Sequence, residues 1–188
     1  MKKLLIMVVM MVATITASAQ QETGTFSLTP KLGINLANFS GDISNNSIKI
    51  AFAAGVEGMY QFTPLVGLSA GLIYSMQGCN GSDESKLNYN FMNIPVLANF
   101  YPAKNFALKI GLQPAFVVSA KNKINKQEYD VKDNVQSIEF SVPIGASYEI
   151  SNIVIDARYN LGLAKVNKSN GSIRNSVFQI TVGYKFQL

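Results

Sequence analysis

Eight charged side chains recur at alternating positions within stretches that are otherwise apolar. Lysine, arginine, aspartate and glutamate placed in this way can pair with one another, relay protons or line an ion path. Four are basic and four are acidic, and this balance favours mutual neutralisation as structural ion pairs over a proton or ion path. The eight residues are Lys31, Glu57, Lys109, Glu139, Glu149, Asp156, Arg158 and Lys185.

Other candidate reactive groups are few. The chain has no histidine, which excludes a Ser–His catalytic site and imidazole metal ligands. Asp83 and Glu84 are adjacent, but solvated charge explains them better than a catalytic pair. Three further acids, Glu128, Asp130 and Asp133, do not have the spacing of a calcium loop. The sequence therefore predicts a non-enzymatic protein with no catalytic residues, no metal site and no cofactor.

A short basic stretch stands out in the second half of the chain. Lys121, Lys123 and Lys126 are separated by one and two residues and precede a polar segment. Such lysines could bind lipopolysaccharide phosphates at a membrane surface or simply be solvated, and the sequence leaves both possibilities open. The whole chain carries only +5, and +3 without Lys2 and Lys3, so no nucleic-acid partner is expected.

The composition indicates where these charges must sit. Of 188 residues, 48% are hydrophobic and only 14% are charged. A soluble domain has about a quarter charged residues. Apart from the first residues, the apolar positions are dispersed among polar ones and form no long apolar run. A single cysteine, Cys79, leaves no disulfide framework.

The N-terminal residues have the pattern of a secretory signal peptide. Lys2 and Lys3 precede an apolar segment at 4–12, and Ala17-Ser18-Ala19 has the form of a cleavage site. We therefore expect residues 1–19 to be removed and residues 20–188 to form one domain.

The rest of the chain alternates between apolar and mixed residues with a period of two, the pattern of β-strands with two different faces. The fourth run changes phase, with Tyr89 and Phe91 giving way to Ile94 and Val96, which predicts a bulge near Met92-Asn93. The eight runs are 26–36, 50–62, 68–76, 87–100, 106–118, 138–148, 153–164 and 177–188.

The connections alternate in length. Those at 63–64, 102–105 and 151–152 are tight turns, whereas those at 40–46, 79–86, 121–135 and 165–174 are longer. Short turns at one end, long loops at the other and an even number of strands are typical of outer-membrane barrels, whose short turns are periplasmic. The prediction is an all-β protein: an eight-stranded antiparallel up-and-down transmembrane barrel with longer extracellular loops.

Alternation alone does not decide which face points outward, and a soluble lipocalin-like barrel would have its apolar face inside. Eight glycines on the mixed face favour placing that face in a narrow interior. Aromatic residues on the apolar face fall near the two ends of the strands, as in membrane girdles. The girdle residues predicted at the short-turn end are Tyr60, Phe62, Phe100, Phe106, Tyr148, Tyr184 and Phe186, and those toward the long-loop end are Phe52, Tyr74, Phe116, Phe140, Tyr159 and Phe178.

Short motifs on these strands resemble the PorT-like outer-membrane barrels, often grouped as a porin family. They are GINL at 33–36, GLIYS at 71–75, IPV at 94–96 and YNLGL at 159–163, followed by Gly183, Tyr184 and Phe186. The resemblance extends over nearly all of residues 20–188. It implies an eight-stranded outer-membrane barrel, and the member that gives the family its name resembles a secretion accessory protein.

Two classes of function follow from these patterns. The first is a monomeric, non-enzymatic outer-membrane barrel with a plugged lumen, whose loops serve envelope structure, adhesion or secretion. Its expected partners are outer-membrane lipid, lipopolysaccharide and, during biogenesis, the outer-membrane assembly machinery; the partner of the loops stays open. The alternative is a soluble exported barrel of the lipocalin type that binds a small apolar ligand.

Overall fold

The structure, a computed structural model, describes residues 22–41, 48–80, 86–124, 127–130, 136–163 and 173–188. The expected signal peptide and most residues of the long loops lie outside these ranges. Within them, no helix is long and apolar enough to span a membrane. The strands are β1 Phe26–Gly41, β2 Lys49–Thr63, β3 Val66–Asn80, β4 Lys86–Asn93, β5 Val96–Ala103, β6 Phe106–Ile124, β7 Gln127–Asp130, β8 Ile138–Ile150, β9 Ile153–Gly162, β10 Ile173–Tyr184 and β11 Phe186–Gln187.

These strands form one closed antiparallel sheet. Consecutive strands pair around the barrel, and β1 pairs with β2 on one side and with β10 and β11 on the other. β4 and β5 are two parts of one barrel strand between β3 and β6, β11 continues β10, and β7 extends β6 as a hairpin. The predicted eight-stranded antiparallel barrel is confirmed. Closure gives every barrel strand two hydrogen-bonded neighbours.

Two-residue turns join the strands at one end, which we call the short-turn end. Asn105 has a φ of 69° and Ser151 a φ of 55°, so two of the three turns contain a residue in the left-handed region. At the turn between β2 and β3, the amides of Leu65 and Val66 donate to Thr63 Oγ1. These turns fix the register of the neighbouring strands.

The predicted phase change in the fourth barrel strand is wrong. Tyr89 and Phe91 are 8% and 0% exposed, and the same parity continues inward through buried Pro95 to Tyr101. The irregularity lies instead on the facing strand, β6, where Asn90 and Phe91 pair with Ser119 and Val117 and one extra residue is accommodated. The barrel strand is interrupted at 94–95, because proline has no N–H to donate to the neighbouring strand. Its inward and outward faces stay the same on both sides of this break.

The apolar face lies outside and the mixed face inside. Leu32 and Leu112 are 61% and 60% exposed, whereas Asn35 and Asp156 are 0% and 1% exposed. A protein in water would leave so continuous an apolar exterior only at great cost. The predicted outward orientation of the apolar face agrees with these exposures.

Glycines allow the narrow interior to form. A Cβ added at Gly33 would lie 1.9 Å from the Ile180 carbonyl oxygen, and one added at Gly111 would lie 1.9 Å from that of Val96. Both clashes involve backbone on the neighbouring strand, so side-chain movement would not relieve them. Strands approach at these positions more closely than any other residue would permit.

Candidate functional site

Glycines on neighbouring strands make room for the long charged side chains in the lumen. Lys31 on β1 pairs with Gly55 on one side and Gly183 on the other, and Glu57 on β2 pairs with Gly71. Gly145 on β8 pairs with both Lys109 on β6 and Arg158 on β9. Because glycine has no side chain, a long charged side chain on the neighbouring strand has space to extend across the barrel axis.

Five of the eight predicted residues meet in one central ion cluster, defined as Lys31, Glu57, Lys109, Asp156 and Arg158. Glu57 is one of its two acceptors. Its carboxylate lies 3.0 Å from Lys31 Nζ, 3.1 Å from Lys109 Nζ and 2.9 Å from Arg158 Nη2. One acidic side chain on β2 therefore holds three cations from β1, β6 and β9.

Asp156 is the second acceptor. Arg158 donates to it through Nε at 2.7 Å and Nη2 at 2.8 Å, a bidentate arrangement that fixes the guanidinium plane. Lys109 Nζ lies 2.6 Å and Lys31 Nζ 3.6 Å from the same carboxylate. All five side chains are at most 6% exposed, so solvent screens these pairs very little.

Two more of the predicted residues form a second pair nearer the short-turn end. Lys185 Nζ lies 2.8 Å from Glu149 Oε2, and the Tyr101 hydroxyl donates to Glu149 Oε1 at 3.2 Å. We call Tyr101, Glu149 and Lys185 the lower ion cluster. Tyr101 was not among the predicted residues, although its inward parity, opposite to that of Phe100, could have indicated it.

The eighth residue, Glu139, does not join either cluster. It is buried on β8 opposite Ala115 and lines a small cavity with Gln113, Ser141 and Asn160. It is six residues along β8 from Gly145, the partner of Lys109, which corresponds to about 20 Å along the strand. Seven of the eight predicted residues are therefore paired within these two clusters, and a role for Glu139 in the same charge network stays a prediction.

An uncharged polar network fills the lumen beyond the central cluster. Asn35 Nδ2 donates to Ser75 Oγ at 2.9 Å and to the Met76 carbonyl at 2.7 Å. Gln179 Nε2 donates to Asn35 Oδ1 at 2.8 Å, and Gln77 Nε2 donates to Ser75 Oγ at 2.8 Å. The sequence reasoning missed these amides because it considered charged groups, although their parity placed them inside.

The predicted aromatic residues lie on the outer face. Eleven of the thirteen are at least 38% exposed, whereas Phe106 and Tyr74 are half-buried. Phe26 is a further aromatic residue, 43% exposed, close to the short-turn end and opposite Tyr60. Their role as a membrane girdle stays a prediction.

Some residues of the other candidate sites predicted from the sequence lie outside the described part of the chain. Asp83, Glu84, Lys126 and Asp133 lie outside the described residues. In the part of the chain that the structure describes, no three His, Cys, Asp or Glu residues come together as a possible metal site. Lys121 and Lys123 lie on the part of β6 that pairs with β7.

A protein-family model decides the class of protein. Residues 18–168 match the outer membrane protein beta-barrel domain family. The chain belongs to this family. It is an outer-membrane β-barrel protein, which accounts for the apolar exterior, and the soluble-barrel alternative is disfavoured.

Solved structures show the same fold at low sequence identity. Ail, the attachment invasion locus protein of Yersinia pestis, is 16% identical, with 88% of this chain and 100% of that chain covered at a TM-score of 0.57. Neisserial surface protein A is also 16% identical, with 86% and 97% covered at a TM-score of 0.56. No curated protein sequence gives a significant match.

Proposed function

We propose that this protein is a non-enzymatic outer-membrane barrel with a lumen closed by its own side chains, whose role is to hold its long loops at the cell surface. The observation that carries the proposal is the central ion cluster. It joins β1, β2, β6 and β9, strands from opposite sides of the barrel. A barrel of eight strands has an interior just wide enough for side chains.

An ion or solute crossing this lumen would have to separate buried pairs. Arg158 contacts both Glu57 and Asp156, so its displacement would leave two buried carboxylates with fewer partners. Two cavities between described residues, one above and one below the cluster, measure about 10 and 20 Å³. These dimensions support a structural plug over a conducting path.

With the lumen closed, the loops are the elements left to bind other molecules. The resemblance to PorT-like barrels supports a secretion-accessory role, and the structural likeness to Ail, the attachment invasion locus protein, supports adhesion. A role in envelope structure requires only the membrane-embedded wall. These roles form one proposal, in which the barrel wall anchors the protein in the membrane and the loops bind its partners.

Lipopolysaccharide is the partner that we propose near the long-loop end. Lys121 and Lys123 lie there on β6, where they pair with Asp130 and Glu128 of β7, and Lys121 is exposed. Lysines at this level of the barrel can bind phosphate groups of the outer leaflet. The expected short-lived partner during biogenesis is the outer-membrane assembly machinery, and the expected functional state is a monomer.

Gel mobility and membrane fractionation test the barrel proposal. We expect the unboiled protein to migrate differently from the boiled protein on an SDS gel, because a closed hydrogen-bonded sheet resists SDS until it is heated. The protein should sediment with outer membrane and require detergent for extraction. Equal mobility before and after boiling, combined with extraction by buffer alone, would contradict the proposal.

A further inference from the structure

A small cavity lies between the central and the lower ion clusters. Its volume is about 20 Å³, enough for one water-sized particle. Three lysines from three different strands line it, Lys31, Lys109 and Lys185, together with the hydroxyl-bearing Thr29 and Ser147. The carboxylate residues Glu57 and Glu149 also line it, so the lining has three basic and two acidic side chains.

The charges around this cavity do not balance. Among the residues that the structure describes, the central cluster has three cations and two carboxylates, and the lower cluster adds one of each, which leaves one excess positive charge. Glu139 is about 20 Å along β8 from Gly145, the partner of Lys109, and lies on the far side of the central cluster from the cavity. A net charge buried in a medium of low dielectric constant is costly unless a counter-ion accompanies it.

We propose that this cavity binds one monatomic anion, chloride under physiological conditions. Each lysine ammonium has three N–H donors, and the hydrogen bonds of Lys31 to Glu57 and of Lys185 to Glu149 use only some of them. The remaining donors and the two hydroxyl groups can coordinate a halide that fits a space of this size. The bound anion neutralises the excess charge and ties the two clusters together.

Crystals of the wild-type protein grown with sodium bromide test the site directly. We expect an anomalous bromide peak in the cavity, within hydrogen-bonding distance of Lys31 or Lys109 Nζ. A cavity that contains only a water molecule, or that is empty of anomalous signal at high bromide concentration, would overturn the proposal. The excess positive charge of the two clusters would then be better explained by a Lys31 side chain that is neutral.

Thermal unfolding in detergent provides a second test and shows whether binding matters at physiological concentrations. We expect chloride to raise the melting temperature relative to gluconate, which is too large for the cavity, at equal ionic strength, with saturation below about 0.15 M. Lys31→Met removes the excess charge and should abolish the difference between the two salts. Lys104→Met, in an exposed turn, is the matched control and should respond as the wild type does.

Two results of the unfolding experiment would count against the site. One is a chloride response in Lys31→Met equal to that of the wild type. The other is a wild-type response that does not saturate, which would mean binding at crystal concentration only. If Lys31→Met does not fold, the bromide peak in the wild-type crystals decides.

Discussion

Glu57→Gln is expected to destabilise the barrel by about 3–5 kcal/mol, the cost of removing one partner from a buried ion network. Glu57 is 5% exposed and contacts Lys31, Lys109 and Arg158. Glutamine keeps the shape of the side chain but removes its charge. Three buried cations would then face Asp156 alone, and solvent could not compensate.

Urea unfolding of the protein in detergent micelles measures this effect. The chain has no tryptophan, so far-UV circular dichroism or the fraction of heat-modifiable protein on a gel should follow the transition. Glu22→Gln, at an exposed acid near the N-terminal end of the barrel, is the matched control and should change stability by less than about 1 kcal/mol.

Charge balance predicts the behaviour of a double variant. Adding Lys31→Met to Glu57→Gln restores the net charge of the cluster, and we expect it to recover part of the lost stability. If Glu57→Gln alone has no larger effect than the exposed control, the account of the cluster as the principal structural element of the lumen is wrong.

Leu32→Arg is expected to cost about 2–4 kcal/mol in a lipid bilayer, the penalty for a cation on the lipid face near the midplane. Leu32 is 61% exposed and lies midway along β1, between the two groups of outer aromatic residues. Arginine at this position replaces a lipid-facing aliphatic side chain and must draw its charge toward a distant interface.

Ile150→Arg is the matched control for this prediction. Ile150 is also on the outer face, 52% exposed, but it lies at the end of β8 beside the short turn. The same substitution there should cost only about 0–1 kcal/mol. Refolding into vesicles at increasing urea concentrations measures both variants, and equal effects at the two positions would contradict the membrane orientation.

Much of this architecture could be predicted from the sequence because strand geometry is local. Side chains alternate between two faces, so Lys31, Glu57 and Arg158 were expected on the inner face from their parity alone. The turns were predictable for a similar reason, since residues such as Asn105 and Ser151 suit tight connections. These inferences did not require knowledge of which strands face each other across the lumen.

The errors arose where facing strands decide the outcome. Tyr89 and Phe91 were assigned to the lipid face from their hydrophobicity, but their side chains are buried inside the barrel. The alternation of inward and outward residues continues unchanged from Tyr89 past Pro95, because the extra residue lies on the neighbouring strand β6. The place of Glu139 in the common network stays a prediction, because its depth along β8 separates it from Lys109. Depth depends on strand register, which a single sequence does not specify.

Planar lipid bilayer recordings of the purified wild-type protein test whether its own side chains close the lumen. Because Arg158 and both lysines of the central cluster bridge the lumen at buried carboxylates, we predict no current above the leak of the bare bilayer. The recordings should use a bilayer in which an open porin gives clear steps. Stable open-channel steps from the pure wild-type protein would contradict the account.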